Sequence, residues 1–473
     1  MNSFTDSVCR FLRRAGTYMV VIVSWFIIAI VIGVFCGVIG TAFHKGVDLA
    51  TELRGEHARL LWCMPIAGII IISVYKLFRT EGMGTNDIID AVQLGNGLSI
   101  WLLPSIYIGT VLTHLVGGSA GREGAALQMG GSIGNYVGGV YDLDENDMKI
   151  ATMCGMAAFF SALFGTPLTA AVFAIMVISI GSFVHMAFLP CLVSAVTAYF
   201  VSVSFGVAPT HYTIMVPEFT VPLFCKVALL AVGFSIVSVI FCESMHAAEK
   251  LLKLGPLKNK WIRVIAGGLI IIALTYIVGT TDYNGAGMNI VQAAVEEGKA
   301  RPEAFALKLL FTAITLGAGY KGGEVVPSFF VGATFGCVLA PLLGVPAGFG
   351  AALGLVGVFC GATNCMISSI ILSVELFGSE GILFFALVCG ISFMLSGYRG
   401  LYSSQTILYS KIGIEYLDVK ANHHHLGDDD YDKHIEKCRV FRKLSLTVFL
   451  TKLGRDRACN QYDLSTIMFY VFV

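Results

Sequence analysis

Charge is what this sequence has least of. Only 13% of its 473 residues are Asp, Glu, Lys or Arg, and 31 basic residues cancel 31 acidic ones to a formal net charge of zero. A soluble domain carries nearer ~25% charged residues, so a solvated globular surface is excluded over most of the length. No strongly basic patch is present, which excludes nucleic acid as a partner. The 13 cysteines show no paired spacing. Cys36, Cys63, Cys154, Cys191, Cys337 and Cys360 sit inside apolar segments, as small buried hydrophobes do, so no disulfide framework is expected. Outside the tail the histidines (His44, His57, His114, His185, His211, His246) are scattered. No clustered set of nucleophiles or metal ligands argues for an enzyme, a cofactor or a metal site. No ring of carboxylates suited to a cation pathway is seen either.

What fills the chain instead is apolar: 56% of residues are hydrophobic. Residues 17–43, 151–217 and 325–374 contain no charged side chain at all, and one crossing needs only ~20 apolar residues. The long runs do not alternate, which excludes a β-barrel. The expected fold is an all-α polytopic membrane protein. Helices are predicted over 17–43, 60–78, 86–94, 100–115, 124–140, 146–163, 167–180, 184–205 and 221–252. They continue over 260–278, 289–297, 303–318, 327–343, 347–360, 366–377 and 381–395. Arg10, Arg13 and Arg14 precede the first span, so residues 1–16 read as a short basic helix on the cytoplasmic face. The apolar run that follows is too long for a signal peptide. From residue 413 to 473 the chain turns polar, with His423–His425 close to Asp428–Asp430. A solvated tail is expected there.

Two stretches roughly two hundred residues apart carry the same pair of features. Gly82-Met83-Gly84-Thr85-Asn86 and Gly285-Ala286-Gly287-Met288-Asn289 are both Gly-x-Gly-x-Asn turns. Each is followed at nearly equal distance by a glycine beside a lone glutamate in apolar surroundings: Gly121-Arg122-Glu123-Gly124 and Gly322-Gly323-Glu324-Val325. A weaker pair links 155–177 with 361–376. The chain therefore reads as two membrane repeats, 17–205 and 206–412, and Gly-interrupted segments at matching positions point to an ion site at the bilayer midplane. The pieces 86–94 and 289–297 are too short to cross ~30 Å of hydrocarbon at about 1.5 Å per residue. Glycine turns that open into short helices direct free N–H groups and a positive dipole end at a cavity, an anion site with no stranded lysine. A glutamate inside a membrane segment marks function by default. Glu123, at the start of a helix, is stabilised as an anion there and competes with a permeant anion for one site. An ion pair with Arg122 is disfavoured because adjacent helical residues do not face one another.

At this point the motifs resemble a known family. Gly121-Arg122-Glu123-Gly124 is similar to the G-R-E-G-P signature of the CLC chloride channels and proton-coupled antiporters. The likeness spans most of residues 17–412 and takes in the Gly82–Asn86 loop, the loop from Gly323 to Pro327, and Leu401-Tyr402-Ser403. The resemblance implies a CLC-type inverted repeat with broken and re-entrant helices. It implies Glu123 as the external gate, Tyr402 facing the central anion, and a homodimer with one pore per subunit. Departures from the chloride members are informative. Met83 stands where they have a serine that contacts the ion, Ala125 replaces the proline of the gate signature, Val325 replaces a phenylalanine, and Val177 falls where their internal proton glutamate would be. This combination is similar to the fluoride/proton antiporter branch, in which the Gly-Glu-Val loop supplies a second glutamate. The implied activity is export of fluoride from the cytoplasm through the cell membrane in exchange for protons. Glu123 and Glu324 would then carry coupling, with Gly82, Met83, Gly84, Asn86, Gly121, Arg122, Gly124, Val325, Val326 and Tyr402 along the anion path. A chloride/proton antiporter or a passive anion channel of the same fold is the alternative, and a membrane-embedded enzyme or scaffold is the remote one.

Overall fold

The structure, a computed structural model, describes residues 2–411 and 416–422. The tail from residue 423, with its His and Asp triplets, lies outside them. The first half runs α1 (Asn2–Glu56), α2 (Met64–Leu77), α3 (Thr85–Leu94), α4 (Leu102–Leu115), α5 (Glu123–Val140), α6 (Glu145–Phe164), α7 (Pro167–Met176) and α8 (His185–Ser204). The second half repeats the series as α9 (Val221–Leu251), α10 (Lys260–Val278), α11 (Met288–Glu296), α12 (Ala304–Ala318), α13 (Val325–Leu339), α14 (Ala347–Thr363), α15 (Met366–Phe377) and α16 (Ile382–Leu395). Among the described residues, seven helices are long and apolar enough to cross a membrane, and six apolar ones are shorter. The first helix is longer than its apolar core. The basic stretch and the first span form one continuous helix, not two elements.

Packing follows the repeat. In the first half α5 packs on α6, α6 on α8, and α8 on α1; in the second, α13 packs on α14, α14 on α16, and α16 on α9. Across the halves α2 meets α10 and α7 meets α15, each helix facing its own counterpart. In lipid no hydrophobic force draws helices together, so close backbone approach through small residues carries the packing. A Cβ on Gly155 of α6 would overlap the carbonyl oxygen of Gly130 in α5, and one on Gly354 of α14 would overlap that of Gly332 in α13. Gly354, rather than Gly361, is therefore the counterpart of Gly155. Large apolar side chains on the outer faces, such as Ile27 and Phe35 on α1 and Ile236 and Ile240 on α9, are exposed, as a lipid-facing surface requires.

The departure from pure helix is a three-stranded sheet: β1 (Ser179–Ile180), β2 (Thr406–Tyr409) and β3 (Tyr416–Lys420), with β1 parallel to β2 and β2 antiparallel to β3. The helix expected to reach residue 180 stops at Met176 for this reason. The Ile178 carbonyl accepts from Thr406 N (3.3 Å) and Gln93 Nε2 (2.8 Å) instead of from the next helical turn. The sheet fixes the loop carrying Tyr402 to the end of α7.

Candidate anion site

Gly121 and Gly323, one from each half, exchange a reciprocal pair of backbone hydrogen bonds: Gly121 N to Gly323 O at 2.7 Å and Gly323 N to Gly121 O at 2.8 Å. Only glycine fits this approach. A Cβ on Gly323 would lie 2.9 Å from Glu123 N, and one on Gly121 would lie 3.1 Å from both Val326 Cβ and Pro327 Cδ. The pairing brings the N-termini of α5 and α13 together, and with them the positive ends of two helix dipoles.

Glu123, the first residue of α5, is fully buried between them. Its Oε2 accepts from Val326 N of α13 (3.1 Å) and from Arg122 N (3.1 Å), while Oε1 has no hydrogen-bond partner among the described residues. The Glu123 carboxylate thus belongs to one half and is anchored on the other. Hydrogen bonds to a charged group contribute roughly 1.5–3 kcal/mol each, and the N–H groups that hold this carboxylate are those that a halide in its place would use. Arg122 does not pair with Glu123. Its guanidinium reaches Asp48 Oδ1 of α1 at 3.2 Å, in keeping with the geometry of neighbours on a helix.

The two glutamates are not counterparts. The helix that begins at Glu123 matches the one that begins at Val325, so Arg122 and Glu324 occupy the same position just before each helix. Val325, fully buried, stands opposite Glu123 in the repeat. Equal spacing in the sequence suggested a symmetric pair, but the glycine bridge sets the register one residue away.

Glu324 faces a different space. A cavity of about 460 Å³ is lined by Met83, Tyr402, Glu324, Gln128, Lys321 and Tyr75, among others, and Gly82, Gly84, Thr85 and Asn86 form part of its wall. Glu123, Val325 and Val326 are buried and are not part of its lining. The elements nonetheless meet: a Cβ on Gly124 would sit 3.1 Å from Gly323 Cα and 3.4 Å from Thr85 Oγ1. Gly82 has φ +86°, a left-handed conformation that only glycine adopts freely, and it lets the chain turn into α3. Gly84 N donates to Asp87 Oδ2 at 2.7 Å, so this helix start already carries a capping carboxylate of its own. Met83 is partly exposed on the cavity wall, and the Tyr402 hydroxyl is buried with no hydrogen-bond partner among the described residues. A buried donor left this way needs an explanation, and an anion beside it supplies one.

Several residues hold this arrangement in ways the sequence did not show. Asn86, expected along the path, spends its Oδ1 on Ser404 N (3.1 Å) and so ties the first glycine loop to the Tyr402 loop. Asp90 accepts from Ser404 Oγ (2.7 Å) and from Lys420 Nζ (2.9 Å), which completes the tie. Gln128 donates from Nε2 to Thr85 Oγ1 at 3.1 Å. An amide among apolar neighbours, one and a half turns past Glu123, was the available signal.

Two helix starts from opposite halves, converging on a buried carboxylate beside a polar cavity, make this a polytopic protein built around an intramembrane anion site. The chain belongs to the voltage gated chloride channel family, whose model matches residues 66–397. It is 35% identical over 406 residues to a chloride/fluoride channel protein of Pseudomonas syringae pv. tomato, a match covering 82% of this chain and 88% of that one. Its fold is similar to the crystal structure of a CLC-type fluoride/proton antiporter, with a TM-score of 0.78, 33% identity, and coverage of 81% of this chain and 98% of that one. A slow cyanobacterial Cl⁻/H⁺ antiporter shares the fold at a TM-score of 0.67 and 21% identity, over 79% of this chain and 94% of that one.

Proposed function

We propose that this chain is a proton-coupled fluoride exporter that moves fluoride out of the cytoplasm in exchange for protons. One observation carries the reading: the Glu123 carboxylate is held by backbone N–H groups, Arg122 N and Val326 N, at the meeting of two helix starts. A carboxylate bound this way and a halide compete for the same donors. Protonation removes the charge that holds Glu123, frees the N–H groups, and opens the site to the anion. Proton uptake and anion passage are thereby linked. The halves 17–205 and 206–412 each contribute one helix start, so a pore needs both.

The cytoplasmic side of the path is the cavity lined by Met83, Tyr402 and Glu324. Glu324 is two residues before Val326, the residue whose N–H holds the gate. It is placed to pass a proton between the cavity and Glu123 around the end of α13, a task for which Val177 has no ionisable group. Met83 favours a small hard anion over chloride by withdrawing a hydroxyl donor where chloride-selective relatives have a serine. The similarity to the fluoride/proton antiporter structure supports fluoride as the anion. The working unit is a homodimer with two independent pores in the cell membrane, with the N-terminus in the cytoplasm.

Reconstitution in liposomes tests the proposal. Vesicles loaded with fluoride, clamped at zero potential and acidified outside, should release fluoride while their interior acidifies, and chloride-loaded vesicles should respond far less. Chloride release at a comparable rate would shift the assignment to a chloride/proton antiporter. Fluoride release with no proton movement would make the protein a channel.

A further inference from the structure

The cavity wall carries four lysine or arginine side chains, and two of them are paired with carboxylates. Lys253 pairs with Glu249, Lys260 pairs with Glu81 at 3.0 Å, and Arg263 Nε donates to the Ala318 carbonyl at 3.4 Å. The Lys321 ammonium, unlike these three, has no hydrogen-bond acceptor among the described residues. Its Nζ lies 4.4 Å from the centre of the Tyr75 ring, and no carboxylate forms an ion pair with it among the described residues. An ammonium has three donors, of which one ring face satisfies one. Lys321 lines the cavity together with Met83, Glu324 and Tyr402, three residues before Glu324 in the same loop.

The position is built. Lys321 N donates to Thr113 Oγ1 of α4 at 3.2 Å, which fixes the backbone. Gly109, one turn earlier on α4, leaves a notch: a Cβ there would lie 3.1 Å from Lys321 Cγ and 3.4 Å from Tyr75 Cε2. The stem of the lysine and the edge of the ring share that notch, so the ammonium is held over Tyr75 and beside the cavity. The Tyr75 hydroxyl is buried without a hydrogen-bond partner.

We infer that Lys321 is a substrate-binding residue of the inner cavity, which collects fluoride there and loads it toward the gate at Glu123. This rests on the fluoride/proton reading above. A compact, strongly hydrated ammonium suits a compact, strongly hydrated anion. The charge acts within the cavity, before the gate, so it sets occupancy of the inner site and leaves the proton step to the glutamates.

The test compares wild type, Lys321→Met, Lys321→Arg, Gly109→Ala and Lys253→Met in fluoride-loaded liposomes. Initial rate is measured against internal fluoride, and the proton-to-fluoride ratio is taken from reversal potentials. Lys321→Met should raise half-saturating fluoride by roughly tenfold, the loss of one unit charge in a half-desolvated site. Maximal rate and the proton-to-fluoride ratio should stay near wild type. Lys321→Arg should restore most of the affinity. Gly109→Ala, which crowds the notch but keeps the charge, should raise half-saturation a fewfold and serves if Lys321→Met does not fold. Lys253→Met, which removes an already paired cation, should change little. Unchanged half-saturation in Lys321→Met, or a fall in maximal rate alone, overturns the inference. Absence of fluoride/proton exchange in wild type would instead overturn the functional reading beneath it.

Discussion

Gly121→Ala tests how the gate is held without touching the gate itself. A methyl at this position overlaps Glu123 Oε2 and comes within 3.1 Å of Val326 Cβ and Pro327 Cδ. Two of these three neighbours lie in the packed start of α13, whereas the carboxylate sits on a side chain that rotates, so the carboxylate gives way. Leaving its seat forfeits the hydrogen bonds from Arg122 N and Val326 N. At roughly 1.5–3 kcal/mol for each bond to a charged group, the seated state loses about 3–6 kcal/mol. That shifts the gate's population by roughly two to four orders of magnitude. Fluoride flux at symmetric pH should rise, and proton movement driven by a fluoride gradient should collapse, as in a channel. The assay is paired fluoride-electrode and pH recording from liposomes, with thermal melts to establish that the fold persists. A double-mutant cycle isolates the contact: in a Glu123→Ala background, Gly121→Ala should add little to flux or uncoupling. Tight coupling in Gly121→Ala, or equal effects with and without the carboxylate, would refute the argument that this glycine exists to seat Glu123.

Glu123→Gln keeps the shape but not the charge, and should abolish proton transport while fluoride movement persists. A proton current in that variant, driven by a fluoride gradient, would remove Glu123 from the gate role. Glu324→Gln should impair coupling with little change in stability, because no side-chain partner is lost; unaltered exchange would exclude it from the proton path. Asn86→Ala deletes the bond to Ser404 N and should cost about 1 kcal/mol, read as a lowered melting temperature together with weaker fluoride affinity as the Tyr402 loop loosens. Gly155→Ala should cost at least 1–3 kcal/mol by forcing α5 and α6 apart. Gly139→Ala, on the same α5 where no atom lies within 4 Å, should be neutral or stabilising by up to about 1 kcal/mol; similar melts for the two would contradict the packing argument.

Much of the architecture could be read directly from the chain. Apolar runs broken by glycine located nearly every helix, because in a bilayer the backbone must satisfy itself within each segment. The glycine loops and the buried glutamate were visible as costly exceptions to that rule. What escaped was register and long-range polar linkage. Glu123 and Glu324 looked equivalent because both sit beside a glycine, yet the Gly121–Gly323 bridge and the two helix starts establish that Glu324 answers to Arg122. Asn86 reaches a partner 318 residues away, a distance at which no local pattern survives. The strands are equally hidden: β1 has two residues, too few for alternation, and it forms because β2 arrives from the far end of the chain. Lys321 stands three residues before Glu324 in the sequence, but only the fold sets its ammonium over Tyr75, beside the cavity and without a hydrogen-bond acceptor among the described residues.

The reciprocal bond between Gly121 and Gly323 also bears on biogenesis. Everything that makes the middle of this protein permissive to ions is assembled from pieces synthesised two hundred residues apart. A ribosome that has delivered only the first half has inserted helices but no conduit, since the second helix start does not yet exist. The cell is thus spared a leak during the interval when a half-finished transporter sits in its membrane.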